Sequence, residues 1–425
     1  MIKLLIKNGL VCDGYNEPTI KDVYIEDGVI QSVGENLDID IIETIDVKGN
    51  LVMPGLIDMN CNICDPGFET KEDILSVSKT ASKGGYTSIT CLPNTNPVID
   101  NKTVVNYIIT KSKRLSQVNI LPYGSMTNGC DGVKISEIGE MKSSGIVAIS
   151  DGNESIISAD LMRNILLYST MFKILVITAC EDKSISGKGV MNEGKLSTEI
   201  GLHGIPREAE EIIVARNLIL AQNTNAKLHI THVSTKGSVD LIRMYKDRGV
   251  NVTCDTCPHY FTLSQDLVRS YNTLAKVRPP LRTQCDIEAV QEGLVDGTID
   301  VISTGHSPTI LENKKKEFDK ADYGISSLET AFSVSYTALV GKKLLSIGQL
   351  VNKMSTKPAE TLGLQKKGTI KTGSDADIIV VGKDGKYIIN PLEFASKSKF
   401  SPYAGHEVSG EILYTIKNGN FIYLK

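Results

Sequence analysis

Short apolar segments alternate with helical stretches through the middle of this chain, and this alternation limits the fold more than any other feature. Residues 208–223 and 238–248 are two of the helical stretches. Repeated strand and helix units of this spacing predict an α/β fold, a TIM-type barrel whose functional site lies at the carboxyl ends of its strands. The apolar segments read as buried parallel strands are 85–91, 145–150, 174–178, 227–232, 250–254 and 299–303.

Both ends of the chain have a different sequence pattern from the middle. Residues 1–47, 376–381 and 411–423 contain short alternating segments separated by turns rich in Asn and Gly. Two separated β-rich ends predict one small composite β-sandwich. The predicted organisation is a β-sandwich from residues 1–50 and 363–425, and a barrel over residues 51–362.

Composition excludes several classes of function. The 425 residues are 41% hydrophobic, which is ample for a large core, and the net charge of −4 gives no basic field for nucleic acid. The first residues lack a signal-peptide pattern, and the longest apolar run, near residues 174–177, is too short to cross a bilayer. Nine scattered cysteines are typical of free thiols in a reducing compartment. We therefore expect a soluble cytoplasmic protein without a nucleic-acid or membrane partner.

The segment 54–67 has the form of a buried strand that runs into a loop, and it carries the most informative polar residues. Side chains alternate across a strand, so Asp58, Asn60 and Asn62 project to one side and Cys61 to the other. One face of this strand end is therefore polar.

Residues 51–58 and the following 65–69 resemble the first barrel strand of the amidohydrolase superfamily, and specifically of dihydroorotase, an enzyme family of pyrimidine biosynthesis. In that family the strand ends in His-x-His-x-Arg, where both His bind zinc and the Arg holds the substrate carboxylate. Here those positions are Asn60, Asn62 and Cys64. Further motifs extend the resemblance over nearly the whole chain: 92–98, 252–260, 276–282 and 297–309.

The resemblance also assigns the remaining site positions, and most have lost the family residue. The third zinc-binding His falls on Ala179, the acidic ligand on Gly152 and the catalytic Asp on Gly305. An alignment shifted by one residue would make Asp151 the acidic ligand. The substrate-contacting Asn and the final His fall on Arg278 and Thr309, and the family residue is retained only at His232 and Asn94.

These replacements predict a pseudoenzyme. A hydrolytic zinc centre needs several anionic or imidazole ligands to acidify water, and one His does not supply them. Glycine at position 305 also removes a general base, a contribution worth about 10²- to 10⁴-fold. We therefore expect no metal cofactor and no hydrolase activity. The predicted role is that of a non-catalytic partner or scaffold, either as a homo-oligomer or with aspartate carbamoyltransferase.

Several alternatives stay open on the sequence alone. The chain could be an active dihydroorotase or a related cyclic amidohydrolase with atypical ligands, which would need zinc and would bind a small cyclic amide or ureido acid. Dihydropyrimidinase is disfavoured because no metal-bridging Lys lies near residues 150–151. His232 could instead be a hydrogen-bonded core residue, and Asn94 could bond its own turn. The pairs Cys61-x-x-Cys64 and Cys254-x-x-Cys257 could form a four-thiolate structural zinc site.

Overall fold

A mixed β-sheet joins the two ends of the chain. The computed structural model describes residues 3–39 and 43–425, so the strand and turn predictions for residues 1–2 and 40–42 lie outside the described residues. Strand Leu51–Pro54 pairs in parallel with the first strand and antiparallel with Ile378–Ile388, which confirms that both ends contribute to one β unit. The strands of this sheet are Lys3–Val11, Thr19–Glu26, Val29–Gly34, Glu43–Asp46, Leu51–Pro54, Ile378–Ile388, Glu407–Lys417 and Asn420–Leu424.

Eight parallel strands form the barrel. They follow one another in chain order, and a parallel bridge between Cys61 and His306 brings the two outermost strands together. The TIM-type prediction is therefore confirmed, although the strand at 119–124 was not among the segments predicted from sequence. The barrel strands are Leu56–Asp58, Tyr86–Cys91, Asn119–Gly124, Ala148–Ile149, Leu175–Thr178, Leu228–Ile230, Val252–Thr256 and Val301–Ile302.

Helices cover the outside of the barrel, and their ends follow local capping chemistry. Asp73 begins one helix by accepting a hydrogen bond from the Ser76 backbone, which satisfies an otherwise unpaired N–H. The described helices include none long and apolar enough to cross a membrane. The main helices are Ile74–Lys83, Lys102–Leu115, Ile138–Ser144, Ala159–Phe172, Glu208–Thr224, Lys236–Asp247, Gln284–Asp296, Ala331–Ser335, Ile347–Val351 and Lys357–Leu362, with π-helical turns at Tyr336–Val340 and Asn352–Thr356.

Short elements lie between the strands and the main helices. They connect the barrel strand ends to the surrounding loops, and a small parallel pair joins Met191–Asn192 to Gly204–Ile205. The short helices are Lys183–Ser186, Lys195–Ile200, Pro258–Thr262 and Leu311–Lys314, with 3₁₀ turns at Asn128–Cys130, Gln265–Val268, Thr273–Ala275 and Pro391–Glu393.

Apolar side chains fill the barrel interior below its mouth. Ile57, Tyr123, Ile177 and Val301 are each at most 1% exposed and belong to one packed cluster. Gly55 lies where the terminal sheet meets the barrel, and a Cβ there would come within 2.3 Å of Thr87. Because the interior is packed, open space for a functional site lies at the carboxyl ends of the strands.

Candidate active site

The first and last barrel strands are joined at their carboxyl ends by hydrogen bonds to a buried carboxylate. Asp58 accepts hydrogen bonds from the Thr304 backbone N–H (2.8 Å) and hydroxyl (2.7 Å). Burial raises the pKa of Asp58 to about 6, against the opposing effect of these hydrogen bonds. Asn62 N–H donates to the His306 carbonyl at 2.9 Å. These bonds bring the loops after the first and last strands together at the barrel mouth.

The positions that the resemblance assigns to zinc ligands lie around this mouth but carry few donors. Asn60 is buried and its Nδ2 donates to Thr231 Oγ1 at 3.0 Å, while its Oδ1 has no partner among the described residues. Gly152 and Ala179 present no side-chain donor, and Asn62 offers only an amide. The hydrolytic zinc centre that the resemblance implies therefore does not fit these residues.

Asp151 does not replace the missing acidic ligand. Its Oδ1 accepts the backbone N–H groups of Met126 (2.7 Å) and Thr127 (3.0 Å), and its Oδ2 accepts the Thr127 hydroxyl at 2.5 Å. Burial raises the pKa of Asp151 despite these donors. Both oxygens of this carboxylate are used in hydrogen bonds to the neighbouring loop.

A buried hydrogen-bond network positions His232. Asp255 accepts from His229 Nε2 (2.9 Å), the Thr231 hydroxyl (2.8 Å) and the His232 backbone N–H (2.9 Å). Burial alone would raise the pKa of Asp255, yet the hydrogen bond and positive field of His229 hold it below its usual range. Burial lowers the pKa of His232, and its Nε2 has no hydrogen-bond partner among the described residues. His232 is therefore neutral at pH 7 and presents an unused ring nitrogen.

Gly305 lies beside the unpartnered Nε2 of His232. A Cβ at position 305 would lie 2.7 Å from Cys257 Sγ, 3.2 Å from His259 Cε1 and 3.4 Å from His232 Nε2. Its φ of +62° also favours glycine. The thiol of Cys257 thus occupies the space next to the position of the family's catalytic Asp. Sequence comparison by position missed Cys257, because the replacement comes from a different strand.

The ligating atoms of His232, Asp255 and Cys257 lie within 4.8 Å of one another, and all three residues are buried. Within residues 3–39 and 43–425, this group meets the condition that three or more His, Cys, Asp or Glu side chains lie close enough to share one metal ion. The four-thiolate alternative is not formed, since Cys254 Sγ donates away from the group to the Thr298 carbonyl at 3.4 Å. All nine cysteines are free.

Arg278 and Thr309, at two family substrate positions, are engaged with the protein itself. Arg278 Nε donates to Glu181 Oε2 at 2.6 Å, and the guanidinium stacks 5.3 Å from the Tyr323 ring. Thr309 is buried and its hydroxyl donates to Asp322 Oδ2 at 2.8 Å. Arg278 therefore lies at the mouth as an ion pair with Glu181.

A pocket of about 220 Å³ opens beside these groups and contains the retained Asn94. Asn94 is exposed on the pocket wall, and a Cβ at Gly152 would contact its side chain at 3.4 Å. Cys64 also faces this space, and burial raises its pKa to about 12, so it is a neutral thiol. Other polar lining residues are Asn62, Lys71, Thr95, Asn153 and Ser307.

A buried lysine secures the loop that carries Thr309 and Tyr323. Lys314 Nζ donates to the carbonyls of Thr273 (3.1 Å) and Lys276 (3.0 Å). Burial lowers the pKa of Lys314 to about 7, well below its unfolded value of 10.5. Between these pH values the unfolded chain binds more protons than the folded chain, so the contribution of Lys314 to stability rises with pH.

We expect the free energy of unfolding of the wild type, minus that of Lys314→Met, to increase between pH 7 and 9. The slope should be at most about 1.4 kcal/mol per pH unit. Urea denaturation at each pH measures this difference, and Lys316→Met, at an exposed position of the same segment, serves as the matched control. A difference that falls as pH rises would contradict the buried-lysine account.

Comparisons with known proteins identify the family. Residues 49–238 match the family described as Dihydro-orotase-like. A protein named Dihydroorotase from Acetivibrio thermocellus is 49% identical over 99% of this chain and 98% of its own length. Another of that name, from Caldanaerobacter subterraneus subsp. tengcongensis, is 45% identical over 100% of this chain and 98% of its own. The similarity therefore includes both the barrel and the terminal sheet.

A solved structure supports the same fold. The structure titled L-Hydantoinase (Dihydropyrimidinase) from Arthrobacter aurescens superposes with a TM-score of 0.91 at 25% identity, and the match covers 100% of this chain and 97% of that one.

The prediction of a non-catalytic partner or scaffold is wrong. Proteins between 44% and 49% identical over essentially the full chain are named Dihydroorotase, which favours an enzyme over a scaffold, and nothing in these relatives supports an inactive chain. The prediction treated each family position by itself, whereas Cys257 fills the space beside Gly305 from another strand. By full-length similarity, this chain belongs to the dihydroorotase family.

Proposed function

We propose that this chain is a cyclic amide hydrolase with atypical site residues, and that it acts as a dihydroorotase. The reaction adds water across the ring amide of dihydroorotate to form carbamoyl aspartate, and its reverse closes the ring. Support comes from the full-length relatives of that name. Several buried polar atoms have no hydrogen-bond partner among the described residues. Two of them, His232 Nε2 and Asn60 Oδ1, carry the proposal because both residues are tied to the Asp255 network.

A buried polar atom without a partner costs about 1–3 kcal/mol, so a fold that keeps two such atoms at its mouth is suited to binding a ligand there. Asn60 is joined through Thr231 to Asp255, the residue that positions His232. Both unpartnered atoms therefore depend on one network. A bound substrate, water or cation would complete their hydrogen bonding or coordination.

The chemistry of the step defines what His232 has to do. The oxygen of water attacks the ring carbonyl carbon, the carbon–nitrogen bond breaks, and one proton of that water passes to the departing nitrogen. A neutral imidazole can accept the proton directly, or it can help hold a cation that acidifies the water. Either role uses the free Nε2 lone pair of His232.

Lys71 is suited to recognising the substrate carboxylate. The family Arg that holds this carboxylate is replaced by Cys64, and Lys71 lines the same pocket beside Cys64. The Lys71 ammonium lies 3.8 Å from Asp322 and 5.9 Å from the Phe68 ring, both loose contacts on a partly exposed side chain. Lys71 can therefore turn toward an anionic ligand.

The direct test is turnover by the purified protein. We expect it to hydrolyse dihydroorotate and to cyclise carbamoyl aspartate at rates well above the uncatalysed background, measured by loss of dihydroorotate absorbance and by chromatography of both species. Hydantoin and dihydrouracil should be assayed in parallel, since the similar hydantoinase structure favours a neutral cyclic amide as the second candidate. Background rates for every substrate, with and without added zinc, would overturn the proposed function.

Replacing Lys71 by glutamine should raise KM for dihydroorotate by about 10- to 100-fold, because a hydrogen bond to a charged group contributes about 1.5–3 kcal/mol. The value of kcat should change little, and any turnover of the uncharged hydantoin should be unaffected. Lys320→Gln is the matched control, because Lys320 is exposed and pairs with Glu317. An unchanged KM would exclude Lys71 as the carboxylate site.

The cytoplasmic location and the partners stay predictions. A homo-oligomer or a complex with aspartate carbamoyltransferase is tested by light scattering of the chain alone and mixed with that enzyme.

A further inference from the structure

The barrel mouth contains a donor set that differs from the ligand set implied by the family resemblance. We propose that His232, Asp255 and Cys257 bind a single zinc-class divalent cation. Only His232 belongs to the ligand positions that the resemblance assigns, and the other two donors come from the strand Val252–Thr256 and the residue after it. This proposal deepens the proposed function by naming a cofactor for the same site, but its test requires no turnover.

The spacing of the three donors suits one tetrahedral ion. Their ligating atoms lie within 4.8 Å of one another. Zinc bonds of about 2.0–2.3 Å to nitrogen, oxygen and sulfur place neighbouring ligands roughly 3.3–3.8 Å apart. A pair of ligating atoms at the 4.8 Å limit would therefore need to approach by about 1.0–1.5 Å to bind one ion.

Each donor keeps an unused site for a cation. His232 is 8% exposed and its Nε2 is buried without a partner among the described residues. Asp255 accepts three hydrogen bonds, and a carboxylate offers about four lone-pair sites, so one is left. Cys257 is fully buried beside these two groups. The cluster therefore combines three donor side chains that are each free to bind a cation.

Charge and space also favour a cation. Zinc binding would displace the Cys257 proton to solvent. The resulting thiolate and the Asp255 carboxylate would balance the two positive charges of zinc, which matters because an uncompensated charge is costly in a buried site. A side chain at position 305 would lie 2.7 Å from Cys257 Sγ and 3.4 Å from His232 Nε2. Glycine at 305 therefore leaves room for the sulfur beside His232.

Cobalt and zinc titrations test this site on the intact chain. After treatment with a chelator, the wild type should bind one equivalent of Zn²⁺, and Co²⁺ in its place should give a thiolate-to-cobalt charge-transfer absorption. Cys257→Ser should abolish that absorption. It should also weaken zinc binding by at least the roughly 10- to 100-fold that loss of an outer partner of a metal ligand costs. His232→Gln should weaken zinc binding similarly, and it provides a second variant should Cys257→Ser fold poorly.

Cys254→Ser is the matched control, because Cys254 lies on the strand that leads into Cys257, is equally buried and directs its sulfur to Thr298. It should retain both the absorption and the stoichiometry. Absence of the charge-transfer band in the folded wild type, or its persistence in Cys257→Ser, would overturn the proposal. Zinc binding without turnover would uphold this site while refuting the proposed function.

Discussion

Replacing His232 by glutamine is expected to lower kcat/KM for dihydroorotate by at least roughly 10²- to 10⁴-fold. The free Nε2 is the buried basic nitrogen at the barrel mouth that the network around Asp255 leaves available. Glutamine keeps a polar side chain of similar length but has no basic ring nitrogen. Steady-state assays in both directions measure the loss.

The control for this variant is His406→Gln, since His406 is exposed and lies outside the barrel mouth. It should retain wild-type kinetics. Thermal unfolding should show that His232→Gln is folded, so that a lost rate reflects chemistry. Full activity in a folded His232→Gln protein would remove His232 from the mechanism.

The largest effect on stability should come from Arg282→Met. Arg282 is 2% exposed and pairs with Glu210 at 3.3 Å, and Glu210 is 3% exposed. Arg282 also donates to Asn192 Oδ1 at 2.8 Å, which connects the barrel to the small strand pair nearby. Removing one partner leaves a buried, unpaired carboxylate, which costs about 3–5 kcal/mol. Urea denaturation should show that the free energy of unfolding falls by that amount, with a lower midpoint.

The double variant Glu210→Leu/Arg282→Met distinguishes the net contribution of the ion pair from the cost of leaving one buried ion unpaired. Replacing both ions by apolar side chains is often close to neutral, so the double variant should recover much of the lost stability. Arg243→Met is the surface control, because its partners Asp240 and Asp296 are partly exposed, and it should cost at most about 1 kcal/mol. An Arg282→Met effect as small as that of Arg243→Met would contradict the buried-pair account.

The architecture was largely predictable because it depends on local patterns. Buried parallel strands are continuous apolar segments and surface helices repeat every few residues, so the helices at 208–224 and 236–247 were located to within two residues. The strand Asn119–Gly124 was missed, since Asn119 and Pro122 interrupt its apolar character. Its neighbours in the barrel decide its conformation.

The site was only partly predictable, because a motif compares residues position by position. His232 and Asn94 were identified in this way, and both lie at the barrel mouth. The proximity of Cys257 to Gly305 was not, since Cys257 is distant in sequence and reaches the same space from another strand. The ion pair of Arg278 with Glu181 was not predicted either, because the two residues are far apart in sequence.

The sequence by itself determined the barrel, the composite terminal sheet and the family, because hydrophobic periodicity and motif order are properties of the chain read in one direction. Only the tertiary structure decided which side chains share a space. Closing the barrel brings the side chains of His232, Asp255 and Cys257 close together. The distances between strand ends depend on packing and strand register, and the spacing of residues along the sequence does not specify either.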